Sequence, residues 1–186
     1  GAPDLILPPA EAVGDSVADH ILLVGPRPTG IGLPDFYVVD AVRPQPAVSG
    51  STPTIVSRPV GPTQLRLSRV SATGAVIFSR VPIDSIPIAA DLASASMNHL
   101  QLVVAVQVHD RGVPARYRLQ SRRFDFDGVP AGEWTTHASG RPRYEINDNP
   151  SGEPPGSRVE DHQAAGIHLL EDGTSVVWWS HLVAGD

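Results

Sequence analysis

Nineteen prolines and seventeen glycines divide this chain of 186 residues into short runs rich in Val, Ile, Leu, Thr and aromatics. Proline inside a helix removes a hydrogen bond and glycine weakens the turn around it, so runs this brief suit strands and leave little room for helices. Candidate strands fall at residues 21–24, 36–42, 54–57, 64–71, 75–81, 100–109, 116–126, 143–146, 167–170 and 175–183. That gives about ten strands at hairpin-like spacing. The one stretch with good helix formers and no breaker is 89–95, expected as a short crossover helix. Residues 26–34, 43–53 and 147–156 are dense in Pro, Gly, Ser or Asn and read as loops.

Two hairpins stand out. Leu100, Leu102, Val104, Val106 and Val108 fall in one phase, with Gln101, Gln107 and His109 in the other, the pattern of a half-buried central strand. The turn residues from Asp110 to Pro114 then return the chain along 117–126, where Tyr117 and Leu119 are out of phase with Phe124 and Phe126. A bulge near 121–123 is expected to reconcile them. The second hairpin joins 167–170 to 175–183 across Glu171-Asp172-Gly173-Thr174, where Asp-Gly accepts the positive φ of a tight turn. Together these signals predict one all-β domain over residues 1–186. Its expected form is an antiparallel two-sheet sandwich of jelly-roll or Greek-key type, with at most one short helix. Pro59, Pro82 and Pro87 are read as flanking strands and blunting edges.

Composition narrows the function classes. A net charge of −6 supplies no basic field for nucleic acid. The longest apolar runs, 21–24 and 102–106, are far short of the ~20 residues that cross a bilayer, so no membrane insertion is expected. There is no cysteine, which removes disulfides and thiolate metal sites within the chain and leaves the compartment open. All fourteen basic residues are arginine, a bias we ascribe to GC-rich coding over selection for forked contacts. The chain opens at Gly1 without a methionine, as an excised domain or processed product would.

Candidate sites follow from side-chain type and strand phase. Trp178 and Trp179 are adjacent, so alternation sends their indoles to opposite faces. Either Trp178 with Val176 and Leu182, or Trp179 with Val177 and Val183, faces inwards, and the other ring is an anchor for a protein or a sugar, with His181 and Ser180 as polar handles. Coverage of that ring by the 147–156 loop is the bland alternative. Arg116, Arg118 and Arg122 alternate along one strand with Gln120 between them, either gripping an acidic partner or lining a solvated face. The acidic run Phe124-Asp125-Phe126-Asp127-Gly128 has calcium-like spacing but no complete loop, so turn chemistry is the simpler reading and no metal is assigned.

Seven histidines include His109, His162, His168 and His181, yet no zinc helix, nucleophile elbow, phosphate loop or dinucleotide fingerprint accompanies them. No cofactor and no catalytic residue is assigned. The expected function is an interaction or structural β-module within a larger assembly, such as a capsid, a viral or phage protrusion, or a secreted adhesin. Its expected partner is a protein or a second copy. A carbohydrate-binding module using Trp178 or Trp179, with Trp134 as a further ring, is the first alternative, and a hydrolase or isomerase with a His/Asp site assembled from distant residues is the second.

Overall fold

The computed structural model describes residues 15–25, 35–44, 62–110, 116–140 and 165–179. Among them the chain is all-β, with no helix and three antiparallel sheets. The first sheet has four strands, β1 (Asp15–Val24), β2 (Phe36–Pro44), β3 (Thr63–Val70) and β4 (Val76–Ile86). The second has β5 (Ala90–Met97), β6 (Leu102–Asp110), β7 (Arg116–Phe124) and β8 (Thr135–Gly140). In each of these, neighbours in space are consecutive in sequence, the order of a meander. A two-stranded ribbon, β9 (Ala165–Leu169) and β10 (Ser175–Trp179), completes the set.

The two larger sheets share one core. Tyr37, Val39 and Ala41 of β2, Leu65 and Leu67 of β3, and Ile83 and Ile86 of β4 meet Leu102, Val104, Val106 and Val108 of β6 and Phe124 of β7. Alternation places each of these sets on one face of its strand. At one end of the core Tyr37 packs against Phe126 with ring centroids 5.7 Å apart, and the Arg69 guanidinium lies 5.5 Å above the Tyr37 ring. Asp35 fixes that guanidinium by accepting from its Nε and Nη2 at 2.9 and 2.7 Å. Thr63, fully buried, accepts from the Ala90 N–H through its Oγ1 at 2.9 Å, so β3 is tied to the start of β5 where the chain passes between sheets.

The second sheet is covered on both faces, which departs from the half-buried strand expected for β6. Val103 and Ala105, on the face away from the main core, are also fully buried because Ile167 and Leu169 of the ribbon pack on them, with Val177 at the margin. Burial of a Val or Leu side chain is worth roughly 1.5–3 kcal/mol, so the unbroken buried run from Leu102 to Val106 makes β6 costly to disturb on either face. Coverage on both sides also removes the need for a bulge at 121–123. β7 pairs with β6 in continuous register, and Leu119 and Phe124 are buried on opposite faces. The irregularity lies on its other side, between Leu119 and Gln120 against β8.

Three other expectations are corrected. Residues 89–95 are not helical: Ala90–Met97 is β5, paired with β6, because the sheet needs an edge there and helix propensity is a weak preference that pairing overrides. Its small side chains suit the close approach of the ribbon, whose Leu169 N–H donates to Ser96 Oγ at 3.0 Å. Pro82 lies inside β4, not beside it; among the described residues β4 is an edge strand, where a missing N–H is tolerated, and its register shifts near Arg80, whose φ is 54°. Leu100 precedes β6 and is exposed, outside the phase assigned to it. The candidate strands at 54–57 and 143–146 and the loops 26–34, 45–53 and 147–156 lie outside the described residues.

Candidate functional site

The tryptophan pair sits on the ribbon, and the turn that forms the ribbon follows directly from sequence. Gly173 adopts φ 84°, its N–H donates to Leu170 O at 3.0 Å, the Leu170 N–H donates to Thr174 O at 2.8 Å, and Asp172 Oδ1 accepts from the Thr174 N–H at 2.8 Å. Register then opposes Val177 to Ile167, Trp178 to Gly166 and Trp179 to Ala165.

Side chains of the second sheet hold this ribbon down. Arg123 Nη2 donates to Gly173 O at 2.7 Å and to Ser175 Oγ at 3.1 Å. Asn98, buried, donates from Nδ2 to Leu170 O at 2.8 Å while its Oδ1 accepts from the Leu100 and Gln101 amides. His99 Nδ1 and Glu171 Oε2 stand 2.6 Å apart as an exposed pair. Sequence reasoning left Arg123 and Asn98 without a role, since their partners are 50 and 72 residues away.

Val177 is in the phase that faces the second sheet, which makes Trp179 the inward member and Trp178 the outward one. Both are nonetheless exposed, Trp178 at 53 % and Trp179 at 44 %, beside Val176 at 46 %. The expectation of a single outer indole is thus corrected. Trp179 pairs with Ala165, two residues beyond the buried contact that Val177 makes. Trp178 lies over Gly166, its six-membered ring filling the space a Cβ would take, so one edge of the ring is seated on backbone while much of its surface meets solvent. Exposed Leu170 and Leu100 add apolar surface nearby in sequence to the turn and to the loop that Asn98 shapes. Ser180, His181, Leu182 and Val183 lie outside the described residues.

The arginine stripe is elsewhere. Arg118 and Arg122 share the phase of Phe124, on the face of β7 that looks to the main core, whereas the ribbon occupies the other face. Arg122 Nη1 donates to Asp84 Oδ2 at 2.8 Å, and its Nε donates to Gly132 O at 2.7 Å. Trp134 Nε1 donates to the same Asp84 oxygen at 2.9 Å. These groups bridge β4 to β7 and the segment before β8, so Arg122 is a clamp between sheets and Trp134 is a half-buried edge of the core, apart from the ribbon. Arg118 is half-buried with its backbone opposite Val108. The Arg116 backbone pairs with Asp110, and its side chain is outside the described residues.

The acidic run is a turn. Asp125 Oδ1 accepts from the Asp127 and Val129 amides at 2.9 and 2.8 Å, and Gly128 at φ 86° packs on Ile83. No group of three His, Asp or Glu able to hold a metal occurs among the described residues. Of the four histidines considered for catalysis, His168 is exposed and 3.5 Å from Ser96 Oγ; His162 and His181, and the side chain of His109, lie outside the described residues.

A pair that sequence reasoning missed joins Ser121 Oγ to His137 Nε2 at 2.7 Å across β7 and β8, and burial lowers the imidazole from its ordinary 6.5. Among the described residues no carboxylate orients the ring, so the pair has one of the contacts that a nucleophile and base require. No helix among the described residues is long and apolar enough to cross a membrane. Comparison with known proteins finds no matching family model, no matching curated protein and no matching solved structure.

Proposed function

We propose that this chain is a non-enzymatic interaction module built as a β-sandwich, which contributes the tryptophan ribbon as a contact surface to a larger assembly. The shared core of the two four-stranded sheets supports the sandwich; the described neighbours within each sheet follow meander order, without a jelly-roll or Greek-key exchange between them. The observation that carries the functional reading is the joint exposure of Trp178 and Trp179 on a ribbon clamped to the domain. Two large rings held on a rigid support present apolar area at little cost in conformational entropy, the property of interface anchors. Self-association is the simplest form of this contact. Light scattering across a concentration series is expected to show mass above the monomer, and Trp178→Ala with Trp179→Ala is expected to remove it. A wild-type monomer at the highest concentration argues against self-association.

A glycan-binding reading keeps one specific support, the seating of Trp178 on Gly166, which fixes the indole and leaves ring surface open to stack on a sugar. Unchanged tryptophan emission on sugar addition, together with silence on a glycan array, would remove it.

A further inference from the structure

The first sheet carries a second unexplained feature, independent of the ribbon. Val38, Asp40 and Val42 of β2 and Arg66, Ser68 and Val70 of β3 lie in the phase opposite to the shared core, and all are buried. Arg66 is 9 % exposed, and its Nε and Nη2 have no hydrogen-bond partner. Two buried N–H donors with unmade bonds are costly in a folded protein, because their own desolvation is not offset by hydrogen bonds.

The identity of the two open donors is informative. Nε and Nη2 form the side of the guanidinium fork whose N–H bonds run parallel, the edge that takes two oxygens of one oxyanion. The same chain shows that edge in use three residues on, where Arg69 directs Nε and Nη2 at the Asp35 carboxylate. Asp40 stands opposite Arg66 in the β2–β3 register and is itself buried. A negative charge so near penalises a dianion more than a monoanion. We propose that the Arg66 fork is a binding site for a carboxylate monoanion on the outer face of the first sheet.

The test uses the whole chain and acetate as the probe. Thermal unfolding is followed in sodium acetate, sodium phosphate and sodium chloride at matched ionic strength, for wild type and Arg66→Met. Acetate is expected to raise the wild-type Tm logarithmically with its concentration, by about 4 °C at ten times its Kd, and to leave Arg66→Met unmoved. An equal acetate effect in both proteins overturns the site. A larger rise in phosphate than in acetate overturns the assignment to a monoanion. If the variant does not fold, the Nε–H resonance of Arg66 in the wild type decides: a downfield shift with acetate supports the site, and a stationary signal ends it.

Discussion

Replacing Asp84 with alanine tests the assignment of Arg122 as a clamp and not a ligand grip. The side chains of Asp84 and Arg122 are 14 % and 18 % exposed, between the solvent-screened pairs worth ~0–1 kcal/mol and the buried pairs whose breakage costs ~3–5 kcal/mol. Asp84→Ala also strands the Trp134 Nε1–H, a half-buried donor worth about 1–3 kcal/mol when unmade. Solvent access to Arg122 and its remaining bond to Gly132 O reduce the total, so a loss of about 3 kcal/mol is expected. For a chain of this length that corresponds to a fall in Tm of roughly 6–12 °C. Chemical denaturation of wild type, Asp84→Ala, Arg122→Met and the double variant closes a cycle, and a coupling of about 1–2 kcal/mol is expected. A coupling near zero, with Asp84→Ala within ~0.5 kcal/mol of wild type, would refute the clamp and return Arg122 to the pool of free surface cations.

Further outcomes follow from other contacts. Gly166→Ala places a Cβ where the Trp178 ring lies and is expected to destabilise by about 1–3 kcal/mol, with much of the loss recovered by adding Trp178→Ala; urea titration of the single and double variants measures both. Thr63→Val keeps the shape but removes the hydroxyl that accepts from the Ala90 N–H and ties β3 to β5, an expected cost of about 0.5–1.5 kcal/mol by the same titration. Burial lowers the folded pKa of His137 below the unfolded value, so this ring has no effect above pH 6.5 and stability falls as pH drops from 6.5 through the lower folded value. Denaturation midpoints across that window are expected to slope less in His137→Gln.

The two hairpins are legible in the sequence because each has a local cause, Asp-Gly at the ribbon turn and a continuous apolar run along β6. What the sequence could not carry depends on partners remote in the chain. Strand β5 looks helical by composition, and only its pairing with β6 and its approach to Leu169 make it extended. Strand β8, Thr-Thr-His-Ala-Ser-Gly, is an edge among the described residues and lacks the apolar alternation that marks a buried strand in sequence. The opposite phases of Trp178 and Trp179 are legible, yet the exposure of both depends on how the ribbon is placed over the second sheet. Arg122 reads as part of a polar stripe until Asp84, 38 residues away, is brought beside it.

The ribbon holds two tryptophans out to solvent while the third is kept at the core, and indole N–H signals in the presence of a soluble paramagnetic agent report this for each ring. Trp178 and Trp179 are expected to be strongly attenuated and Trp134, bonded to Asp84, to be spared. Protection of either ribbon indole to the level of Trp134 in the dilute monomer would contradict the claim.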